Sequence, residues 1–174
     1  MGVSGPRLAA LPAAVAALAL LGAAPPPPEQ PVRFSHKVHA GDAHIGCTSC
    51  HTYAERGPVA GVPSMARCQG CHKFVKEDKE NAQLDQELKA LRKVLDEGKP
   101  VQWARVHRVP DHVFFTHQRH VVTAKLECKE CHGEVEKMEV MHQVAPLTMG
   151  WCLECHQLPK NKDKAPTDCW ACHK

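Results

Sequence analysis

The sequence predicts a mainly α-helical chain with much irregular structure and almost no β-strand. Three observations lead to this expectation. The pattern Cys-x-x-Cys-His occurs five times and accounts for all ten cysteines. Only 5% of the 174 residues are aromatic, which leaves little material for a large apolar core. Residues 75–98 carry leucines at alternating spacings of four and three, the pattern of an amphipathic helix closed by Gly98. We expect short helices near the five motifs, with turns between them.

The five motifs have the form of c-type haem attachment signatures. In such a motif the two cysteines form thioethers to the haem and the adjoining histidine binds the iron from the proximal side. Zinc knuckles and dithiol redox pairs also use Cys-x-x-Cys, but neither requires a histidine directly after the second cysteine. The predicted haem-attaching residues are Cys47, Cys50, Cys68, Cys71, Cys128, Cys131, Cys152, Cys155, Cys169 and Cys172. The predicted proximal ligands are His51, His72, His132, His156 and His173. Five covalently bound haems would themselves supply the core.

The stretch Phe115–His132 repeats the stretch Phe34–His51. In both, a phenylalanine precedes two histidines three residues apart, and the first cysteine follows eleven residues after the first histidine. Residues three apart on a helical turn point to nearly the same side, so one turn can serve two neighbouring irons. The predicted distal ligands are therefore His36, His39, His117 and His120. Imidazole on both faces of an iron suits electron transfer.

The residues alone leave the fifth distal ligand open. His107 is one candidate, because it lies in a segment that should cross back over the haems. Met149 is the other, because it stands three residues before the fourth motif and methionine is a known axial ligand. His142 and His112 follow, and His44 comes last. An iron with no distal ligand is the remaining alternative.

The chain divides by composition into a leader, a spacer and a haem domain. Residues 1–24 hold one arginine and then an apolar run, as in a signal peptide or an N-terminal membrane anchor. Residues 25–31 (PPPPEQP) predict a stiff, extended spacer. The haem domain, 32–174, divides into module one (32–74, two haems), a helical linker (75–98) and module two (99–174, three haems). Because bacteria attach c-type haem outside the cytoplasm, we expect the periplasmic side of the cytoplasmic membrane, with the chain soluble or anchored.

The formal net charge of the chain is +3. Ionised haem propionates would offset this small excess, so the total gives no reason to expect a nucleic-acid partner. Local patches, rather than net charge, should decide where redox partners dock.

Phe-x-His-x-x-His followed by Cys-x-x-Cys-His resembles the opening of the class III (cytochrome c3 and c7-like) multihaem c-type cytochromes. The resemblance implies a small fold wrapped around covalently bound haems. That family also places a histidine just before a haem motif, where this chain has Met65 and Met149. The resemblance implies four ligand pairs: His36 with His51, His39 with His72, His117 with His132, and His120 with His156.

A narrower resemblance rests on WARVHRVPDHVFFTHQRH and PLTMGWCLECH. These stretches are similar to the pentahaem cytochrome subunits of bacterial alternative complex III, a quinol-oxidising membrane assembly. The resemblance implies redox protein partners, among them an iron–sulfur/molybdopterin-like subunit and other membrane subunits.

Together these observations predict a pentahaem electron-transfer protein with no bond-making chemistry of its own. The alternative is a multihaem reductase of a small oxyanion such as nitrite or sulfite. Such an enzyme needs one iron with an open distal position. Eight histidines lie outside the motifs, which makes an open position unnecessary.

Overall fold

A computed structural model describes residues 26–77 and 79–173. Within these ranges the chain forms helices and turns, with one isolated antiparallel bridge between Val113 and His173 and no strand. The predicted fold class is confirmed. The α-helices are α1 (Met65–His72), α2 (Ala82–Glu97), α3 (Lys129–His132), α4 (Met149–His156) and α5 (Cys169–Cys172). Two π-helical turns, Lys37–Asp42 and Arg119–Thr123, and two 3₁₀ turns, Cys47–Ser49 and Val135–Lys137, complete the set.

Few side chains are buried in the described part of the chain. The buried hydrophobic residues there are Ala54, Leu88, Met138 and Ala145, none of them aromatic. The small apolar core expected from the composition is therefore observed. None of the described helices is long and apolar enough to cross a membrane, and the apolar run of residues 1–24 lies outside the described residues.

Helix α2 is the amphipathic helix that the leucine spacing predicts, although it begins at Ala82 rather than near residue 75. The side chain of Asn81 accepts a hydrogen bond from the backbone N–H of Leu84 at 3.1 Å, which satisfies one of the free donors at the helix start. Gly98 ends the helix with a φ of 65°, a conformation that glycine adopts without strain.

The leucine stripe of α2 is covered unevenly. Leu88 is buried, whereas Leu84 in the first turn stays 44% exposed. The helix contacts α1, and Arg92 reaches back to the backbone carbonyl of Val75. Helix α2 therefore packs beside the second motif.

The duplicated stretch has the same backbone in both copies. In each π turn an N–H donates to the carbonyl five residues earlier: Ala43 to Val38, and Ala124 to Arg119, both at 2.9 Å. Such single turns of π-helix are rare and occur often at functional sites. The repeat in the sequence is thus a repeat in the structure.

A residue with positive φ follows each π turn: φ is 52° at His44 and 55° at Lys125. The next residues close the turns with matching hydrogen bonds, from Ile45 N–H to the His39 carbonyl at 2.9 Å and from Leu126 N–H to the His120 carbonyl at 3.0 Å. Each copy thereby redirects the chain from its histidine pair to its first cysteine.

The two copies hold each other through backbone hydrogen bonds. The first π turn donates from Lys37 N–H to the Met138 carbonyl at 3.0 Å, in the loop after the third motif. Beside the second π turn, His117 and Gln118 donate to Pro58 and Gly57 at 3.2 and 3.1 Å, in the loop after the first motif. Each histidine pair is therefore anchored on the loop that follows the other copy's haem motif.

The last residues of the proline-rich segment are fixed on the haem domain. The Gln30 side chain donates to the Ala104 carbonyl and accepts from the Ala104 N–H, both at 2.9 Å. The described residues 26–31 form no helix. Gln30 nevertheless ties this segment to the stretch that leads into module two.

Gly41 lies where the first π turn meets the 3₁₀ turn Val135–Lys137, so a substitution of Gly41 tests the contact between the two copies. A Cβ on Gly41 would clash with the backbone carbonyl of Glu136, which has no freedom to rotate away. We expect Gly41→Ala to destabilise the holoprotein by about 1–3 kcal/mol, the usual cost of overpacking. Chemical unfolding followed through helix content and haem absorbance measures this.

Gly57→Ala is the matched control, because a Cβ on Gly57 would have no atom within 4 Å. Equal stability of the two variants would show that the contact at Gly41 does not hold the copies together.

Candidate haem-binding sites

Each of the five motif histidines faces a second histidine from elsewhere in the chain. Four of these pairs involve the duplicated histidines. Their ring centroids are 6.5 Å apart for His36 and His51, 5.9 Å for His39 and His72, 6.3 Å for His117 and His132, and 6.2 Å for His120 and His156. These are the pairs that the resemblance to class III cytochromes implies.

The spacing of these rings suits one metal ion between each pair. A metal–imidazole bond is about 2 Å long and the ring centroid lies roughly 1 Å further on, so two imidazoles on opposite faces of one ion have centroids about 6 Å apart. The rings are nearly parallel in the pair that the first histidine of each copy forms, at 10° for His36 with His51 and 3° for His117 with His132. The residues present therefore fit an iron with two axial imidazoles.

The phenylalanine at the start of each copy orients both histidines. Phe34 stacks on His39 at 4.4 Å and meets His36 edge-on at 4.9 Å. Phe115 repeats this arrangement with His120 at 4.5 Å and His117 at 4.9 Å. One aromatic ring thus fixes two imidazoles that turn toward different partners.

Backbone carbonyls fix the Nδ1 atoms of many of these histidines. An Nδ1–H that donates to a carbonyl leaves Nε2 unprotonated and able to bind a metal. The contacts are His39 with Ser35 (2.8 Å), His51 with Gly61 (2.6 Å), His117 with Pro58 (2.8 Å), His120 with Thr116 (2.9 Å) and His156 with Pro166 (2.7 Å).

Burial keeps several of these imidazoles neutral. Burial, reinforced by His51 and His39, lowers the pKa of His36 to about 4. Burial likewise lowers the pKa of His132 to about 4, and His107 and His117 are the next largest causes. A neutral imidazole is the form that binds a metal.

The fifth motif histidine, His173, is paired with His112, at a ring-centroid distance of 5.4 Å and an angle of 27°. The isolated bridge between Val113 and His173 and the hydrogen bond from Phe114 N–H to the Cys172 carbonyl (2.7 Å) bring these segments together. The pair is closer than the other four, and His112 is exposed.

The structure places the three candidates favoured by the sequence for this position elsewhere. The Nε2 atom of His107 lies 3.3 Å from Nδ1 of His132, beside the third motif. Met149 is the first residue of α4 and 62% exposed, and His142 is exposed with its Nδ1 3.2 Å from the Val140 carbonyl. His112, which the sequence offered only as a further alternative, has no repeated counterpart: the corresponding position in the first copy is Pro31.

The cysteine side chains show which attachment sites are neighbours. None of the ten cysteines forms a disulfide. Burial raises the pKa of Cys128, and the neighbouring thiol of Cys47 raises it further, so the first and third motifs adjoin. Burial and then Cys155 raise the pKa of Cys131, which places the fourth motif beside the third.

The remaining neighbours extend this row in both directions. After burial, Cys172 is the next cause that raises the pKa of Cys152, which joins the fifth motif to the fourth. Cys50 contributes, after burial, to the raised pKa of Cys68, and the His36/His39 turn also connects the first and second motifs. The second motif therefore adjoins the first, the first adjoins the third, the third adjoins the fourth, and the fourth adjoins the fifth.

Apolar side chains beside the motifs remain exposed. Trp170 lies inside the fifth motif and is 80% exposed, and Phe74 lies two residues after the second motif and is 74% exposed. Apolar surface at an attachment site suits the macrocycle of a haem. The cysteines, the histidine pairs and these side chains together form a donor set and surroundings that fit haem.

Comparisons with known proteins agree with this chemistry. The family described as "Cytochrome c7 and related cytochrome c" matches residues 113–174, and the "Class III cytochrome C family" matches residues 14–96. A relative from Nitratidesulfovibrio vulgaris, the "Menaquinone reductase, multiheme cytochrome c subunit", is 38% identical over 140 residues. That alignment covers 80% of this chain and 57% of the relative. The chain thus spans little more than half the length of that relative.

The chain belongs to the multihaem class III c-type cytochromes. Members of this family carry covalently bound c-type haem, and so does this chain.

Proposed function

We propose that this cytochrome is an exported pentahaem protein that relays single electrons between redox partners. The observation that carries the proposal is the set of five facing histidine pairs, with ring centroids 5.4–6.5 Å apart. Two imidazoles per iron leave no open position for a substrate. Bound haem supplies reversible one-electron chemistry, and the protein's residues set its ligation, position and surroundings.

The proposed ligands follow from the pairs. His51, His72, His132, His156 and His173 are the proximal ligands, and the cysteine pair of each motif attaches the haem. The distal ligands are His36 for the first motif, His39 for the second, His117 for the third, His120 for the fourth and His112 for the fifth.

The spatial order of the attachment sites supports a linear relay. The second motif lies at one end, beside α2, and the fifth lies at the other. The third motif is in the middle, since Cys128 adjoins Cys47 on one side and Cys131 adjoins Cys155 on the other. Electrons passing between the two ends would therefore have to cross the third site.

We further propose that the chain is a subunit of a quinone-linked respiratory complex on the periplasmic side of the cytoplasmic membrane. The segments similar to alternative complex III support quinol oxidation with an iron–sulfur/molybdopterin-like partner. The relative named as a menaquinone reductase subunit supports the opposite direction, in which electrons flow toward a quinone. An apolar leader over residues 1–24, cleaved or retained as an anchor, supports export.

The direction of flow can be measured on membranes that contain the assembled complex. For a quinol-oxidising complex, we expect a reduced menaquinol analogue to reduce the haems of this subunit within turnover time. Haems that stay oxidised with quinol, but pass electrons from an added low-potential donor to quinone, would establish the reductase direction. The same complex with an inhibitor of the quinone site is the control.

The fifth pair predicts the effect of replacing His112. His112→Ala should convert one haem in five from the low-spin to the high-spin ferric form, because the iron held by His173 loses its second imidazole. Electron paramagnetic resonance of the oxidised protein counts the two forms. Met149→Leu is the control and should leave the spectrum unchanged.

Two results would contradict this assignment. A high-spin signal in Met149→Leu, with none in His112→Ala, would make Met149 the ligand. A high-spin signal from one iron in the unaltered protein would favour the oxyanion reductase instead.

The middle position of the third motif predicts that its loss divides the relay. In a variant carrying both Cys128→Ala and Cys131→Ala, exchange between the first and second haems should persist, as should exchange between the fourth and fifth. Exchange between these two groups should become slow and dependent on protein concentration, because it must then occur between molecules. Exchange spectroscopy by NMR on partly reduced protein distinguishes the two regimes.

The control variant carries Cys169→Ala and Cys172→Ala, which remove an end of the row and should leave the other four haems in rapid exchange. Circular dichroism checks that both variants are folded. Rapid, concentration-independent exchange between the two groups without the third haem would refute the linear order.

A further inference from the structure

His107 lies outside the five histidine pairs, yet it contacts one of them directly. Its Nε2 atom is 3.3 Å from Nδ1 of His132, and the two rings are nearly perpendicular, at 77° with centroids 4.5 Å apart. His107 is half-buried. This contact is separate from the pairing of His132 with His117, whose ring faces His132 at 6.3 Å.

Metal binding by His132 decides which atom carries the proton in this contact. Because Nδ1 of His132 is next to His107, Nε2 is the nitrogen left for the iron, and a metal-bound imidazole carries its hydrogen on the other nitrogen. His132 Nδ1–H therefore donates, and His107 Nε2 accepts. The hydrogen of His107 is then on its Nδ1, and its Nε2 lone pair is already used.

The acceptor at His132 differs in kind from those of other ring nitrogens. The Nδ1 atoms of His39, His51, His117, His120 and His156 each contact a backbone carbonyl. A backbone carbonyl stays in place whatever the side chain, whereas the acceptor at His132 is itself a side chain. A substitution of His107 can therefore change the hydrogen bond at the third site without altering the fold.

We propose that His107 is a positioning residue that orients the His132 ring and strengthens its donation of electrons to the third haem iron. The inference rests on the proposed binding of that iron by His132. An acceptor on the far nitrogen of a metal-bound imidazole makes the ligand more basic, and a more basic ligand favours the ferric state. His107 therefore lowers the reduction potential of the third haem.

Long-range contacts hold the segment that carries His107. The two hydrogen bonds between Gln30 and Ala104 fix the chain three residues before it. Trp103 meets Phe34 edge-on at 6.5 Å, and an ion pair of 3.1 Å between Arg108 and Asp111 follows. The acceptor is thus presented by an irregular segment that contacts the first copy of the duplicated unit.

The test compares two substitutions of His107 in the haem-loaded protein. His107→Leu removes the acceptor, whereas His107→Gln offers a side-chain carbonyl oxygen in its place. In His107→Leu we expect the third haem to become easier to reduce by about tenfold in its one-electron equilibrium constant, which is about 59 mV. His107→Gln should restore most of the original potential. NMR-monitored redox titration, with the haem methyl signals assigned to the Cys128/Cys131 site, reports this haem separately.

His142→Gln is the matched control. After burial and His117, His142 also lowers the pKa of His107, but its own Nδ1 contacts only the Val140 carbonyl among the hydrogen bonds of the described structure. Its replacement should leave the third haem unchanged. A shift of all five potentials together in His107→Leu would indicate a general structural effect and overturn the proposal, as would no shift at all.

Spin state separates this proposal from the ligand assignment beneath it. A high-spin third haem in His107→Leu would mean that His107 binds iron, which overturns the positioning role. Failure of the ligand assignment has a different signature: His132→Ala would then leave the third haem low-spin with unaltered ligand signals. An unchanged potential in His107→Leu, with ligand loss in His132→Ala, would therefore overturn only the role of His107.

Discussion

The distance between two facing imidazoles is the constraint on which the rest of this structure depends. Centroids about 6 Å apart leave room for one metal ion and little else. The chain has to meet this distance five times although it has few buried side chains with which to fix the rings. It does so with a unit used twice, in which one phenylalanine orients two histidines on a π turn. The wider hydrogen-bond spacing of that turn, and the positive φ that follows it, accommodate two histidines and a change of chain direction within about ten residues.

Each copy of this unit is supported from outside itself. The first π turn bonds to the loop after the third motif, and the second copy bonds to the loop after the first motif. The histidine pair of one copy is therefore placed by the region that follows the other copy's motif. This explains why His51 lies close enough to contribute to the lowered pKa of His132, and why Cys47 contributes to the raised pKa of Cys128. The reciprocal anchoring and the adjacency of the first and third sites are two aspects of one arrangement.

How much of this could be read from the sequence depended on repetition. Four histidines outside the motifs were predictable because their spacing occurs twice, and the resemblance to class III cytochromes implied which motif histidine each would face. The partner of His173 was not, since His112 has no counterpart in the first copy and reaches His173 only through pairing between segments about sixty residues apart. Local patterns also placed the end of α2 correctly, because Gly98 favours a left-handed conformation, but not its start. Residues 76–80 (KEDKE) share the charged composition of the helix but carry none of its leucines, and the capping hydrogen bond to Asn81 begins the helix only after them.

Chain order and spatial order differ, and the difference follows from the histidine turns. Because His36 and His39 face the first and second motifs, the second lies beside the first. His117 and His120 likewise join the third and fourth, and the hydrogen bond from Phe114 N–H to the Cys172 carbonyl links the segment before them to the fifth. In the proposed row the first motif along the chain is therefore an interior site, and the ends are the second and fifth. The two ends also differ in how far they are covered. Helix α2 packs beside the second site, where burial lowers the pKa of His72 most, followed by His39 and then Arg92. Trp170 at the fifth site stays largely exposed. The proposed relay therefore has two chemically distinct ends although its interior is a duplication.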